Sequence, residues 1–132
     1  MQTKIFVNLP VKDLTRSREF FEKLGFGFNQ QFSNDNVGCL MISDSIYVML
    51  QTFDNFKQFV NKDVGDASKT AQSLIAISVE SKAKVDALFQ RAIEAGGKTA
   101  NDVKDFGFMY GKSFEDREGY IWEALWFDQT TN

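Results

Sequence analysis

The order strand, helix, three strands can be read twice along this chain, and that repeat restricts its fold more than any other feature. Residues 4–11 alternate and run out at Pro10 and Val11, as a strand terminus can. Asp13 is placed to cap a helix reaching about Leu24, with Leu14, Ser17, Phe21 and Leu24 on one face and Gly25 ending it. Short strands are predicted over residues 26–32, 37–42 and 45–51, with turns at Asn34-Asp35 and Ser43-Asp44. In the second half, residues 73–80 alternate as a strand and Ser81 caps a helix to about Ala95. That helix carries Val85, Leu88, Phe89 and Ala92 on one face, and Gly96-Gly97 closes it. Strands over residues 98–103, 108–114 and 120–127 follow, with turns at Lys104-Asp105 and residues 116–119.

A four-stranded sheet with one helix on one face is therefore the unit. The prediction is a single α+β domain of two tandem βαβββ modules, residues 1–52 and 73–132. They form a curved, mostly antiparallel sheet with helices on the convex face and a concave pocket. Residues 53–72 join the modules and are long for a plain loop. Phe53, Phe56, Phe59 and Val60 recur there at helical spacing, which fits a short helix covering one end of the sheet or a lid over the pocket.

Composition removes several function classes. At 43% hydrophobic over 132 residues the chain can bury a core and is not disordered. Phenylalanine dominates the aromatics, 14 against 2 Trp and 3 Tyr, and Phe needs no hydrogen-bond partner, so the core can be dry. The net charge of −3 is spread along the chain without a basic run, which argues against nucleic acid and anionic membrane as partners. No apolar stretch approaches the roughly 20 residues of a membrane span, and the opening residues do not read as a secretory signal. A single cysteine excludes an internal disulfide and suits the cytoplasm. Cys39 lies in an apolar run and reads as a buried structural thiol. The absence of histidine removes the commonest general base and the commonest metal ligand together.

Strand alternation assigns the faces. Ile5, Val7, Leu9 and Val11 should meet the first helix, leaving Phe6 and Asn8 on the pocket side. Ile46, Val48 and Leu50 join the helix side, and Tyr47, Met49 and Gln51 the pocket side. In the second half Ile75, Ile77 and Val79 should meet the helix while Leu74, Ala76 and Ser78 face inward. In the last strand Tyr120, Trp122, Ala124 and Trp126 form one row, and Ile121, Glu123, Leu125 and Phe127 the other. Glu123 is the oddity, a carboxylate among apolar and aromatic residues. Its pKa should rise unless a partner is present. It reads either as a site residue in a cleft or as one half of an ion pair with a Lys or Arg at a strand edge.

The run from Ile5 to Leu14, followed by Ser17, Phe20-Phe21 and Leu24-Gly25-Phe26, resembles the opening of the glyoxalase, bleomycin-resistance and extradiol dioxygenase superfamily, the vicinal-oxygen-chelate proteins. Residues 114–123 are similar to its closing signature, here Asp116-x-x-Gly119 with Glu123 four residues on. The resemblance implies a divalent metal held from the first and last strands of each module. Carried onto this chain, those positions are Phe6, Met49, Leu74 and Glu123, and only the last is a ligand type. A lone carboxylate does not hold a catalytic metal, which wants about three protein ligands. The expectation is therefore no metal and no cofactor, which argues against a lactoylglutathione lyase or dioxygenase. The resemblance also implies a homodimer. The leading expectation is sequestration of an unidentified small organic molecule. Phe6, Tyr47, Met49, Leu74, Ala76 and Ile121 would form the apolar wall, and Asn8, Gln51, Ser78 and Glu123 the polar handles. The alternative is a metal-independent lyase or isomerase with Glu123 as general base and Tyr47 or Tyr110 as proton donor. A third reading keeps the metal enzyme, with ligands placed elsewhere or supplied by a partner chain.

Overall fold

The computed structural model describes residues 1–129. They form two compact units that divide between Asp66 and Ala67, each with its own sheet. The first unit runs β1 (Ile5–Val11), α1 (Leu14–Lys23), β2 (Gly27–Phe28), β3 (Val37–Met41), β4 (Ile46–Thr52) and a single turn, α2 (Phe53–Phe56). Its sheet order is β1-β4-β3-β2, with β1 and β4 parallel and the other pairs antiparallel. The second unit runs β5 (Leu74–Ser78), α3 (Lys82–Glu94), β6 (Lys98–Thr99), β7 (Lys104–Asp105), β8 (Met109–Glu115) and β9 (Ile121–Phe127). Its order is β5-β9-β8-β6, with β7 also on β8 and the β5–β9 pair parallel. The sequence repeat thus encodes two α+β units of the same plan, βαβββ in the first and the same order with one extra two-residue strand, β7, in the second.

The two longer helices, α1 and α3, are started and stopped by the same devices. Asp13 Oδ1 accepts from Arg16 N at 3.0 Å, and Ser81 Oγ accepts from Lys84 N at 3.2 Å. At the far ends Gly25 and Gly96 take φ of 101° and 104°. There Gly25 N and Phe26 N donate to the Glu22 and Phe21 carbonyls, while Gly96 N and Gly97 N donate to those of Ile93 and Ala92. That is the Schellman closure, which satisfies the last carbonyls of a helix.

The core of each unit lies between helix and sheet. In the first it contains Leu9, Val11, Leu14, Phe20, Phe21, Leu40, Val48 and Leu50, with Phe20 and Phe21 edge to face at 5.0 Å. Phe20 adds to the predicted helix face. In the second unit Val85 and Ala92 of α3 cover Phe114, Trp122 and Ala124, whereas Leu88 and Phe89 are only half-buried. No helix of the described residues is long and apolar enough to cross a membrane.

Three expected elements differ. The strand over residues 26–32 is cut to two residues because the Asn29 side chain accepts from Gln31 N at 3.0 Å and starts a 3-10 turn, Gln30–Phe32. The strand over 98–103 is likewise cut to two, because Asn101 N bonds the Ser113 hydroxyl at 3.0 Å instead of a ladder carbonyl. Lys104-Asp105, expected as a turn, is strand β7 paired with Gly111 and Tyr110. Residues 53–72 contain α2, which packs against β1 and β4 at one end of the first sheet.

Candidate functional site

The strand registers decide which side chains share a face. In the first unit Phe6 pairs with Tyr47, Asn8 with Met49, Met49 with Cys39, and Pro10 with Gln51, all on the side away from α1. Phe6 and Tyr47 stack at 5.0 Å and 11°, with the Lys4 ammonium 5.8 Å from the tyrosine ring. The Tyr47 hydroxyl donates to the Asp44 carbonyl at 2.9 Å, so it serves the β3–β4 turn. Cys39 is buried, and burial pushes its thiol pKa up against an opposing backbone hydrogen bond at Asn29.

The polar groups of this face close on one another. Gln51 is buried, its Nε2 donating to Asn8 Oδ1 at 2.6 Å and its Oε1 accepting from Asn55 Nδ2 at 2.6 Å. Asn8 Nδ2 in turn donates to the Phe6 carbonyl at 3.2 Å. The two residues expected as polar handles are thus partnered within a chain of neutral amides that ties α2 to the sheet.

In the second unit Leu74 pairs with Ile121, Ala76 with Glu123, and Ser78 with Leu125. Ser113 pairs with Glu123, and Gly111 lies between Leu125 and Lys104. These residues share the face opposite α3. Leu74, Ala76 and Ser78 are exposed, and Ile121 is half-buried. Ser78 also borders an open depression of about 480 Å3 with Val79, Glu80, Trp126, Phe127 and Gln129.

Glu123 has a partner. Its Oε2 lies 3.2 Å from Lys104 Nζ, and the two side chains are 8% and 40% exposed. The lysine reaches the carboxylate across Gly111. A Cβ at that glycine would meet Leu125 Cδ1 at 2.9 Å and Glu123 Cδ at 3.5 Å. A side chain at position 111 would therefore have to displace the end of Leu125 and would lie against the Glu123 carboxyl. Lys104 is the site residue that sequence reasoning missed. Its approach depends on a two-residue strand too short to leave a periodic signal.

Tyr110 departs from its expected place. It pairs with Trp126 and Asp105, one step out of phase with Glu123, and so lies on the α3 side. Its hydroxyl donates to Asp86 Oδ1 at 2.6 Å, and Lys112 Nζ reaches the same oxygen at 2.8 Å. Those hydrogen bonds hold the Asp86 carboxyl below its ordinary pKa and raise those of Tyr110 and Lys112. Tyr110 and Glu123 thus belong to opposite faces of the sheet, and Tyr110 is no proton donor beside that carboxylate.

The closing signature is a structural turn. Asp116 Oδ1 accepts from Glu118 N at 2.9 Å and Tyr120 N at 3.0 Å, while Oδ2 accepts from the Trp122 indole at 2.9 Å. Burial pushes Asp116 up to about 6 against the pull of those donors. Gly119 has φ of 101°, and a Cβ there would sit 2.7 Å from the Ala67 carbonyl oxygen.

The residues do not fit a divalent ion. The first unit offers a phenyl ring and a thioether at Phe6 and Met49. The second offers a leucyl group at Leu74 and one carboxylate already held by an ammonium. Among the described residues no three His, Cys, Asp or Glu side chains come together as a ligand set.

The family model for the Glyoxalase/Bleomycin resistance protein/Dioxygenase superfamily matches residues 5–124. The chain belongs to that superfamily. Among solved structures it is similar to a hypothetical protein of S. aureus, 26% identical with a TM-score of 0.78, covering 95% of this chain and 94% of the other. It shares the fold of a glyoxalase-related enzyme from Fulvimarina pelagi, 21% identical over 96% and 88% of the two chains, with a TM-score of 0.79. It also shares the fold of a fosfomycin resistance protein from Listeria monocytogenes, 17% identical over 95% and 90%, with a TM-score of 0.67. No curated protein sequence matches the chain.

Proposed function

We propose that this member of the superfamily is a metal-free binder of a small organic molecule, held on the sheet face that carries Glu123. One observation carries the reading: the sole carboxylate at the four positions where relatives place a metal is engaged by Lys104 at 3.2 Å. The surface around it, with Leu74, Ala76 and Ile121, is apolar or small. Such a face suits a molecule with an apolar body and few polar groups. Phe6 and Met49 would serve the same role on the first unit, with Tyr47 stacked on Phe6. The competing lyase or isomerase reading needs a proton donor near Glu123. Tyr110 lies on the other face of the sheet, and the Tyr47 hydroxyl is spent on the Asp44 carbonyl. A homodimer acting in the cytoplasm completes the proposal.

The test is a native mass spectrum of untagged protein purified without chelator. The expected result is a dimer mass with no divalent-metal increment, with or without an organic adduct. A stoichiometric metal increment, lost on adding chelator together with a measurable activity, would overturn the reading.

A further inference from the structure

We propose that Lys104 is an anion receptor. The molecule this face selects then carries a carboxylate, sulfonate or comparable oxyanion on an apolar body. The inference rests on the binding reading above and adds the ligand's charge class.

The argument starts from unequal exposure. Glu123 is 8% exposed and Lys104 40% exposed, so the pair has its negative end inside and its positive end at the surface. A molecule arriving from solvent therefore meets the ammonium first. An ammonium carries three N–H donors and no acceptor. Glu123 is its partner among the described residues, at 3.2 Å, and an oxyanion can take a remaining donor. A cationic ligand would have to evict Lys104 to reach a carboxylate that is almost wholly covered.

The pair is also held in place. Lys104 lies in β7, in register with Gly111 of β8, and Gly111 in turn with Leu125 of β9. The Glu123 carboxyl carbon lies 3.5 Å from where a Cβ at 111 would stand, so the carboxylate lies beside the glycine that Lys104 faces in register. A flexible lysine normally loses rotamer freedom when it binds an anion. Here the carboxylate beneath has already removed part of that freedom, so less is lost on binding. The neighbouring Leu74, Ile121 and Leu125 give an apolar ligand body something to cover. The site thus presents the cationic end of a neutral pair to solvent, with the anionic end covered beneath it.

Two dyes of one scaffold test this on the full chain: anilinonaphthalene sulfonate, which is anionic, and N-phenylnaphthylamine, which is neutral. The wild-type protein should bind the sulfonate more tightly, and added salt should weaken the sulfonate but not the neutral dye. Lys104→Met should weaken the sulfonate roughly tenfold and change the neutral dye by less than about twofold, as loss of one charge-assisted contact predicts. Lys104→Arg should restore most of the preference. If Lys104→Met weakens both dyes equally, or neither, the charge inference fails while the binding reading stands. If the neutral dye is preferred, or salt has no effect on the sulfonate in wild type, the inference fails without recourse to any variant. If neither dye binds folded wild-type protein, both readings fall.

Discussion

The two units share element order, helix caps and strand pairing, yet they satisfy the polar groups of their helix-free faces by opposite means. The first uses neutral amides, Asn55 to Gln51 to Asn8, in a chain that ends on its own backbone. The second uses one charged pair, Lys104 and Glu123, whose outer member is 40% exposed. Closed networks of neutral groups chiefly order the fold. A half-exposed ammonium anchored by a buried carboxylate can still recognise something. One backbone plan therefore supports a structural face in one copy and a candidate recognition face in the other.

The turns before β4 and β9 diverge as well, and there the largest effect is expected. The first turn, at Ser43–Ser45, is closed by a serine hydroxyl bonding Ser45 N at 3.3 Å and has no positive-φ residue. The second depends on Gly119, with φ of 101° and no space for a Cβ against Ala67 and Ser68. Gly119→Ala should cost about 3 kcal/mol or more, combining backbone strain with a clash against main chain. Ser45→Ala, which removes no bond from the turn, should stay within about 0.5 kcal/mol. Denaturant midpoints of the two variants decide it, and equal losses would mean that the turns are interchangeable.

Asp116 supplies the next effect, with a sign fixed by its environment. Its folded pKa of about 6 lies above that of an unfolded aspartate. The protonated form is thus favoured on folding. The contribution to stability is complete below about pH 4 and is lost as pH rises through about 6, at most about 3 kcal/mol in all. Asp116→Asn removes that slope. It also turns one amide N–H toward the Trp122 indole donor, a mismatch costing about 1–3 kcal/mol. The variant should be less stable than wild type at acid pH, and the gap should narrow as pH rises from about 4 to about 6. Parallel curves across that window would show that Asp116 does not titrate there. The first unit has no counterpart of this buried carboxyl.

How legible was this comparison in the sequence? The repeat, both caps and both closing glycines were readable because each is fixed by local chemistry: Asp13 and Ser81 as acceptors, Gly25 and Gly96 as positive-φ positions. Alternation also puts Phe6, Met49 and Leu74 on helix-free faces and Glu123 in one row with Ile121 and Leu125, because period-two geometry is imposed by the backbone; which side that last row faces is fixed only by its pairing with Leu74 and Ala76. What alternation cannot supply is register between strands distant in sequence. Lys104 comes within reach of Glu123 through the β7–β8–β9 registry. Asn55 meets Gln51 through the turn into α2, which no pattern on β4 announces. The side of Tyr110 escapes alternation for the same reason, because the choice between the two faces of its strand turns on a one-residue phase.

Removing one polar partner from each face tests the central contrast. Glu123→Gln should cost about 1 kcal/mol, less than a fully buried pair because Lys104 can return to water. Gln51→Leu should cost a similar amount, about 1–2 kcal/mol, by leaving Asn8 and Asn55 without their amide partner. Salt separates them. High ionic strength should shrink the Glu123 effect through screening of the half-exposed lysine and leave the Gln51 effect in place. If both respond alike to salt, the distinction between a neutral and a charged face is lost.

The smallest expected effect is the sharpest check on the faces themselves. Tyr110→Phe removes one hydrogen bond to Asp86, a carboxylate about half exposed and still held by Lys112 at 2.8 Å. With water available to both partners, the stability change should stay within about 0.5 kcal/mol. Because Tyr110 faces α3, dye binding on the Glu123 side should not change at all, although the two residues lie on adjacent strands. A clear loss of binding in this variant would mean that the ligand contacts the helix side of the sheet. Lys112 and Asp86 would then replace Lys104 and Glu123 as the charged pair that recognises it.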